Sequence, residues 1–197
     1  LRKALLILDA LKEKGIDRVD VIAHSEGAIN VLIAAMVTSS RFRNIVLDKP
    51  AGLIGKDTKT ALTSRFIRML FEETIIRPPL FTDPASSVSI GERIVLYTLE
   101  NPASVTEEMD VLTNFDITDL MTKLVEQGVM LSVISGVDDP LFPVSEQIRY
   151  MREAGVPPHE GYYSVVGGHN ELSIHAKKHA VLAINALDDL QRIRSSR

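Results

Sequence analysis

Short apolar segments recur along the chain, and each is a nearly continuous run rather than an alternation of apolar and polar residues. They predict strands over Val19–Ala23, Asn44–Asp48, Val129–Ser135 and Tyr162–Val166. Helical segments are predicted before, between and after them, over Leu1–Lys14, from the apolar run after Gly27 to about Thr38, over Ser145–Gly155 and over Ser173–Arg194. A strand that is apolar at nearly every position is typical of a parallel sheet with helices on both faces. The pattern therefore predicts an α/β fold with a parallel, doubly wound sheet.

This alternation is interrupted between Pro50 and Val129. The interrupting stretch has mostly helical periodicity, and it is cut by Pro78, Pro79, Pro84 and Pro102. We therefore predict a core built from residues 1–50 and 129–197, with residues 51–128 forming a helical insertion.

Composition limits the class of partner. The 197 residues carry 22 Lys and Arg against 26 Asp and Glu, a net charge of -4, and no basic run, so neither nucleic acid nor an anionic membrane surface is an expected partner. No apolar stretch is long enough to span a bilayer, and the absence of cysteine excludes disulfides, thiolate metal ligands and a cysteine nucleophile. The profile predicts a cytoplasmic protein that acts on small molecules, and it leaves the oligomeric state undetermined.

The segment Ala23–Gly27, "AHSEG", stands where the first predicted strand turns into an apolar helix. A tight turn at this point would expose Ser25 at the carboxyl end of the sheet. The small residues Ala23 and Gly27 would avoid collisions with neighbouring backbone. At the helix N-terminus, the N–H of Glu26 could stabilise a developing anion.

The segment resembles the G-x-S-x-G signature of the α/β-hydrolase family, with Ala23 in place of the first glycine. A serine after a buried strand is more often an ordinary helix cap, so the motif alone leaves that alternative open. In the family, an acid and then a histidine follow the serine along the chain.

The resemblance places the acid at Asp139, in "GVDDPLFP" after the third predicted strand. Asp138 is adjacent, and Asp48 follows the second predicted strand, where some family members carry the acid. An Asp-Pro pair can also simply begin a turn. Asp48 and Asp138 therefore remain alternatives to Asp139.

The histidine that the resemblance implies is His169, in "VVGGHNE" after the last predicted strand. His159, His175 and His179 are predicted as surface residues with satisfied side chains. We predict that His24 is a structural residue packed beside the turn, because consecutive residues on a sharp turn point apart.

The resemblance covers nearly the whole chain, and the insertion corresponds to the family's lid. It implies a serine hydrolase that cleaves a carboxylic ester, or a related acyl bond, of a small apolar substrate through an acyl-enzyme. Ser25, His169 and Asp139 would form its catalytic triad, the N–H of Glu26 would contribute to the oxyanion hole, and no cofactor or metal would be needed. Carbon–carbon bond hydrolysis, thioesterase and lactonase activity use the same triad, and a non-catalytic binding protein or inactive fragment on this fold is the alternative of a different class.

The resemblance also implies about four further strands before Val19–Ala23. We therefore expect this chain to be the C-terminal part of a longer protein, in which the second oxyanion donor precedes Leu1. Without those strands, Val19–Ala23 would form an open edge of the sheet.

Apolar residues of the insertion could line an acyl or aromatic pocket, or could pack the insertion onto the core. They are Phe66, Met69, Leu70, Phe71, Ile75, Ile76, Leu80 and Phe81.

Overall fold

The computed structural model describes residues 1–55, 57–72, 90–153 and 161–196. Within these residues the sheet has four parallel strands in the order β1-β2-β3-β4. The strands are β1 (Val19–His24), β2 (Phe42–Asp48), β3 (Met130–Gly136) and β4 (Tyr162–Val165). Every strand predicted from the sequence is present, with ends shifted by one or two residues.

Helices precede, connect and follow the strands. They are α1 (Arg2–Glu13), α2 (Glu26–Val37), α3 (Lys59–Phe71), α4 (Ile90–Glu100), α5 (Pro102–Asn114), α6 (Thr118–Glu126), α7 (Val144–Glu153), α8 (Glu171–Ile174) and α9 (Ala176–Ser195). The predicted single helix Ser173–Arg194 is wrong in one respect, because it is divided at His175 into α8 and α9. The last residues of the predicted helix Ser145–Gly155 lie outside the described residues. No helix in the described ranges is both long enough and apolar enough to cross a bilayer.

Helices cover both faces of the sheet. Ile45 and Leu47 of β2 point into the larger core with α2, whereas Val46 packs with Ile134 of β3 against α9. Successive side chains of a strand point to opposite faces, so β2 has to be apolar on both sides. This explains the continuous apolar runs and confirms the predicted α/β fold with a parallel, doubly wound sheet.

The helix after β1 is apolar around most of its circumference. It packs against α1 and α6 as well as against β1 and β2, and a helix surrounded by protein in this way has no need of a polar face. Its buried residues are Ala28, Ile29, Val31, Leu32, Ala34 and Ala35.

The last helix of the predicted insertion, α6, packs into the larger core. Met121 and Leu124 of α6, and Ile117 before it, are fully buried in the same core as Leu32. The helix contacts both α2 and β3. Where the insertion ends and the core resumes stays a prediction.

At the other side of the sheet, β1 is the outermost strand of the described residues. Its Ile22 is 41% exposed. Whether further strands pair with β1 in a longer protein stays a prediction.

Burial in the larger core should dominate stability. We expect Val133→Ala in β3, where the side chain is fully buried, to lower the free energy of unfolding by about 2 kcal/mol through lost burial and a residual cavity. Val181→Ala on α9, where the side chain is 54% exposed, is the matched control and should change it by less than about 0.5 kcal/mol. Urea denaturation of both variants measures the difference, and equal losses would contradict this account of the core.

Candidate active site

Ser25 occupies the turn between β1 and α2 with an unusual backbone conformation, at φ 52° and ψ -124°. Positive φ is rare for a residue other than glycine and is sterically costly. The end of β2 holds it in place: the N–H of Ser25 donates to the carbonyl of Asp48 at 3.0 Å, and its own carbonyl accepts from the N–H of Ala51 at 3.2 Å. The sharp turn predicted from "AHSEG" is therefore present.

The predicted collision with neighbouring backbone at Gly27 is wrong for a methyl group. A Cβ added there would meet no heavy atom within 4 Å in the described part of the chain. Ala23 is 5% exposed and belongs to the larger core, as expected of a small residue before the turn.

The imidazole of His169 lies between Ser25 and Asp139. Its Nδ1 is 2.9 Å from Oδ2 of Asp139, and its Nε2 is 3.0 Å from Oγ of Ser25. Because a carboxylate only accepts hydrogen bonds, the Nδ1–H donates to Asp139. In the neutral imidazole, Nε2 is then free to accept a hydrogen bond from Oγ of Ser25.

Main-chain groups orient the carboxylate of Asp139. Its Oδ1 accepts from the N–H of Leu141 at 2.8 Å and from the N–H of Phe142 at 3.2 Å. The ring of Phe142 packs edge-on against the imidazole of His169, with the ring centroids 5.2 Å apart. The buried carboxylate thus has polar partners for both oxygens, as a charge removed from water requires.

A glycine at the end of β3, Gly136, lets the loop before His169 pack closely against the end of that strand. A Cβ added to Gly136 would lie 2.6 Å from the carbonyl oxygen of Gly167, which is closer than real contacts allow. Gly167 itself has φ 137°, a conformation that favours glycine. These two glycines permit the approach that brings His169 over the end of the sheet.

Of the three aspartates considered, Asp139 is the one whose carboxylate reaches the imidazole of His169. Asp48 is fully buried, and its carboxylate lies 2.9 Å from Nε2 of His179 and 3.5 Å from Nζ of Lys49. Asp138 is exposed, and its N–H donates to the carbonyl of Gly167 at 3.2 Å.

The other histidines differ from the sequence expectation in part. His179 is wrong as a surface residue, because it is only 3% exposed and is buried against Asp48. His175 is exposed and pairs with Glu171, whereas His159 lies outside the described residues. His24 packs beside the turn, and its Nε2 is 3.1 Å from the carbonyl oxygen of His169.

The sequence does not predict the buried charge pair of Asp48 and Lys49. Lys49 follows β2 directly, is fully buried and has φ 46°. The only sequence signal was a charged pair before Pro50 at a strand end, which ordinarily indicates an exposed turn.

Two side chains near Ser25 and His169 have shifted pKa values, namely His24 and Asp48. Burial, and next the charge of His169, lower the pKa of His24 to about 4 against the opposing charge of Asp48. Burial alone would raise the pKa of Asp48, but the contact with His179 and the charge of Lys49 lower it below its usual value.

The N–H of Glu26 is at the first position of α2, where helical N–H groups have no partner within the helix. The side chain of Glu26 is held separately by Nζ of Lys3 at 2.8 Å and by Nδ2 of Asn30 at 3.1 Å. Because the carboxylate of Glu26 is bound by Lys3 and Asn30, it does not compete for the main-chain N–H, which can donate to a group at Ser25.

A cavity of about 500 Å³ opens beside Ser25 and His169. Most of its wall is apolar and comes from α3, α4 and α5. The side chains of the described residues that form this apolar wall include Leu62, Phe66, Met69, Leu70, Met109 and Leu112. Of the insertion residues singled out from the sequence, Phe66, Met69 and Leu70 line the cavity, Phe71 is 55% exposed, and Ile75, Ile76, Leu80 and Phe81 lie outside the described residues.

No group of three or more His, Cys, Asp and Glu side chains in the described ranges is arranged to hold a metal ion.

Neither protein-family models nor curated protein sequences match this chain. Solved structures do: a hydrolase from Pseudomonas aeruginosa PA01 is similar over 93% of this chain and 70% of its own, at 14% identity and a TM-score of 0.65. A carboxylesterase structure from the ammonia-oxidizing thaumarchaeon Nitrososphaera gargenis covers 96% of this chain and 71% of its own, at 16% identity and a TM-score of 0.60. A bromoperoxidase from Bacillus anthracis covers 92% and 71%, at 16% identity and a TM-score of 0.61.

These likenesses, together with the parallel sheet and the turn at Ser25, identify the fold. The chain has the α/β-hydrolase fold and covers about 70% of the length of these structures.

The depressed pKa of His24 predicts a loss of stability in acid. His24 takes up its proton near pH 6.5 in the unfolded chain but only near pH 4 in the folded protein. The stabilisation by neutral His24 is therefore present above pH 6.5, falls between pH 6.5 and 4, and is worth at most about 3 kcal/mol.

Both His24→Phe and His24→Gln should flatten the dependence of the unfolding free energy on pH across that interval, because neither side chain titrates. Urea denaturation at a series of pH values measures it. A wild-type slope retained in both variants would show that another group is responsible. Asp48 contributes separately and at lower pH, since its lowered pKa favours the folded state above pH 3.8 and its contribution is lost only as the pH falls below that value.

Proposed function

We propose that the protein is a serine hydrolase that cleaves a carboxylic ester, or a related acyl bond, of a small apolar substrate. One observation carries the proposal: Asp139, His169 and Ser25 form a continuous series of contacts at 2.9 and 3.0 Å, beside an apolar cavity. The catalytic roles of these three residues belong to the proposal.

Nucleophilic attack begins at Ser25. Its Oγ forms a bond to the acyl carbon while Nε2 of His169 takes the hydroxyl proton, and the carbonyl oxygen of the substrate becomes an oxyanion. The oxyanion accepts a hydrogen bond from the N–H of Glu26 at the start of α2. The bond to the leaving group then breaks, and His169 returns the proton to the leaving oxygen.

Water completes the cycle. His169 takes a proton from water, the resulting hydroxide attacks the acyl-enzyme, and the proton returns to Oγ of Ser25 as the acid product leaves. Throughout, Asp139 stays ionised and stabilises the imidazolium, and the N–H groups of Leu141 and Phe142 hold its carboxylate in orientation. No cofactor or metal takes part in these steps.

The cavity supports an apolar acyl or alcohol group on the substrate. Side chains of α3, α4 and α5 form most of the cavity wall beside Ser25, and burying apolar substrate atoms there contributes about 25 cal/mol per Å². Thioester, lactone and carbon–carbon bond hydrolysis use the same three residues, so an ester is the first substrate class to test. A cytoplasmic location, with no nucleic acid or membrane partner, belongs to the same proposal.

A non-catalytic binding protein is the alternative of another class. Such a protein has no need of a strained serine held beside a histidine. The close contacts of all three side chains favour catalysis.

Removal of the nucleophile tests the proposal. Ser25→Ala should lower kcat by about 10⁶-fold while circular dichroism stays unchanged, because the acyl-enzyme cannot form. The exposed Ser40, just beyond the C-terminal end of α2, provides the control Ser40→Ala, which should keep full activity. Hydrolysis of a series of nitrophenyl acyl esters and labelling by a fluorophosphonate probe measure both variants. Retention of a tenth of the wild-type turnover by Ser25→Ala would exclude this mechanism.

The acid is tested separately. Asp139→Asn should lower kcat by roughly 10⁴-fold, since the amide no longer stabilises the imidazolium or enforces its tautomer. Asp138→Asn is the neighbouring control and should lose far less, as should Asp48→Asn. If Asp48→Asn gives the severe loss, the assignment of Asp139 as the acid is wrong.

A further inference from the structure

His24 joins the turn that carries Ser25 to the loop that carries His169. It is the last residue of β1 and directly precedes Ser25. Its Nε2 lies 3.1 Å from the main-chain carbonyl oxygen of His169, and the two imidazole rings are 5.0 Å apart between centroids. His169 is therefore held through its main chain by His24 as well as through its side chain by Asp139.

The direction of this hydrogen bond follows from its partners. A carbonyl oxygen only accepts, so the proton must lie on Nε2 of His24. The second group that faces Nε2 is the carboxylate of Asp48, at 3.9 Å, and it also favours a proton there. The positive charge of Lys49, and that of His169 when it is protonated, favours a neutral ring on His24.

Burial also favours a neutral ring on His24. The pKa of His24 is lowered to about 4, first by burial. The ring is therefore an uncharged donor at neutral pH, and it does not oppose the positive charge that His169 acquires when it accepts the serine proton.

The loop before His169 needs such an attachment. Gly167 and Gly168 precede it, and glycine gives the main chain more conformational freedom than any other residue. The N–H of Asp138 ties the loop to the end of β3 through the carbonyl of Gly167 at 3.2 Å, and the hydrogen bond from His24 holds the main chain at His169 itself. A displacement of about 1 Å between base and nucleophile costs on the order of 10²-fold in rate.

We propose that His24 is a positioning residue whose Nε2–H holds the main chain of His169, so that the imidazole stays between Ser25 and Asp139. This inference rests on the proposed function, since it gives a role in the same reaction. His24 does not contact the substrate, because it is absent from the described residues that line the cavity.

Three substitutions separate the hydrogen bond from packing. His24→Gln places an amide N–H near the position of Nε2 and can donate to the same carbonyl. His24→Asn carries the same amide one carbon shorter, near the position of Nδ1, and cannot reach. His24→Phe fills the space of the ring without a donor.

We expect His24→Phe and His24→Asn to lower kcat by about 10- to 100-fold with little change in KM. His24→Gln should recover most of this loss. The second-order rate of fluorophosphonate labelling should follow the same order, because it reports activation of Ser25 without dependence on a chosen ester. Thermal midpoints of all three variants show whether the loss of kcat follows the loss of the hydrogen-bond donor or only a loss of stability.

Hydrogen exchange gives a readout that does not require activity. The main-chain amides of residues 167–170 should exchange faster in the Phe and Asn variants than in the wild type or the Gln variant.

The outcomes are distinguishable. Full-length wild-type protein that neither hydrolyses esters nor reacts with the probe refutes the proposed function, and the exchange rates then still test the attachment by His24. Active wild type with equal kcat in the Gln, Asn and Phe variants, or unchanged exchange in the loop, would overturn the role of His24.

Discussion

The main chain at Ser25 keeps its left-handed conformation because the end of β2 binds it from both sides. Its N–H donates to the carbonyl of Asp48, and its carbonyl accepts from the N–H of Ala51. A strained residue of this kind costs on the order of 1–3 kcal/mol and persists only where surrounding structure enforces it. The parallel pairing of β1 with β2 supplies that enforcement, and it sends the chain from β1 into α2 with Ser25 at the carboxyl edge of the sheet, where it lines the cavity. The approach of His169 and the opening of the cavity both depend on that position.

Two groups of buried polar side chains lie at this edge. One is the series Asp139, His169 and Ser25, and the other is Asp48 with His179 and Lys49. A buried carboxylate is tolerated only with partners, and each group supplies its own. The second group stabilises the end of β2 from the side of α9, whereas the first faces the cavity. Separate parts of the chain thus provide the proposed reactive groups and the cavity wall, because α3, α4 and α5 line the cavity, whereas Ser25, Asp139 and His169 follow the strand ends.

Local patterns predicted much of the fold. The strands were identifiable since a doubly covered sheet requires apolar residues at successive positions, whereas the insertion over residues 51–128 stays a prediction. The final helix was not, because the break at His175 comes between two segments that each have helical composition. His179 was placed at the surface because its polarity and helical context are typical of an exposed residue. Nothing near it in the sequence indicates that Asp48, from a distant strand, would bury it.

By itself the sequence determined the four strands, the sharp turn at Ser25 and the order of serine, aspartate and histidine along the chain, since these depend on periodicity and on residues close in sequence. Only the tertiary structure decided which aspartate lies against His169 and what His24 contacts. Asp48, Asp138 and Asp139 all follow parallel strands that end at one edge of the sheet, so local sequence leaves them nearly equivalent. The distinction between them is a matter of a few ångströms and of side-chain direction, and it arises when Gly136 and Gly167 let the last loop close over the sheet.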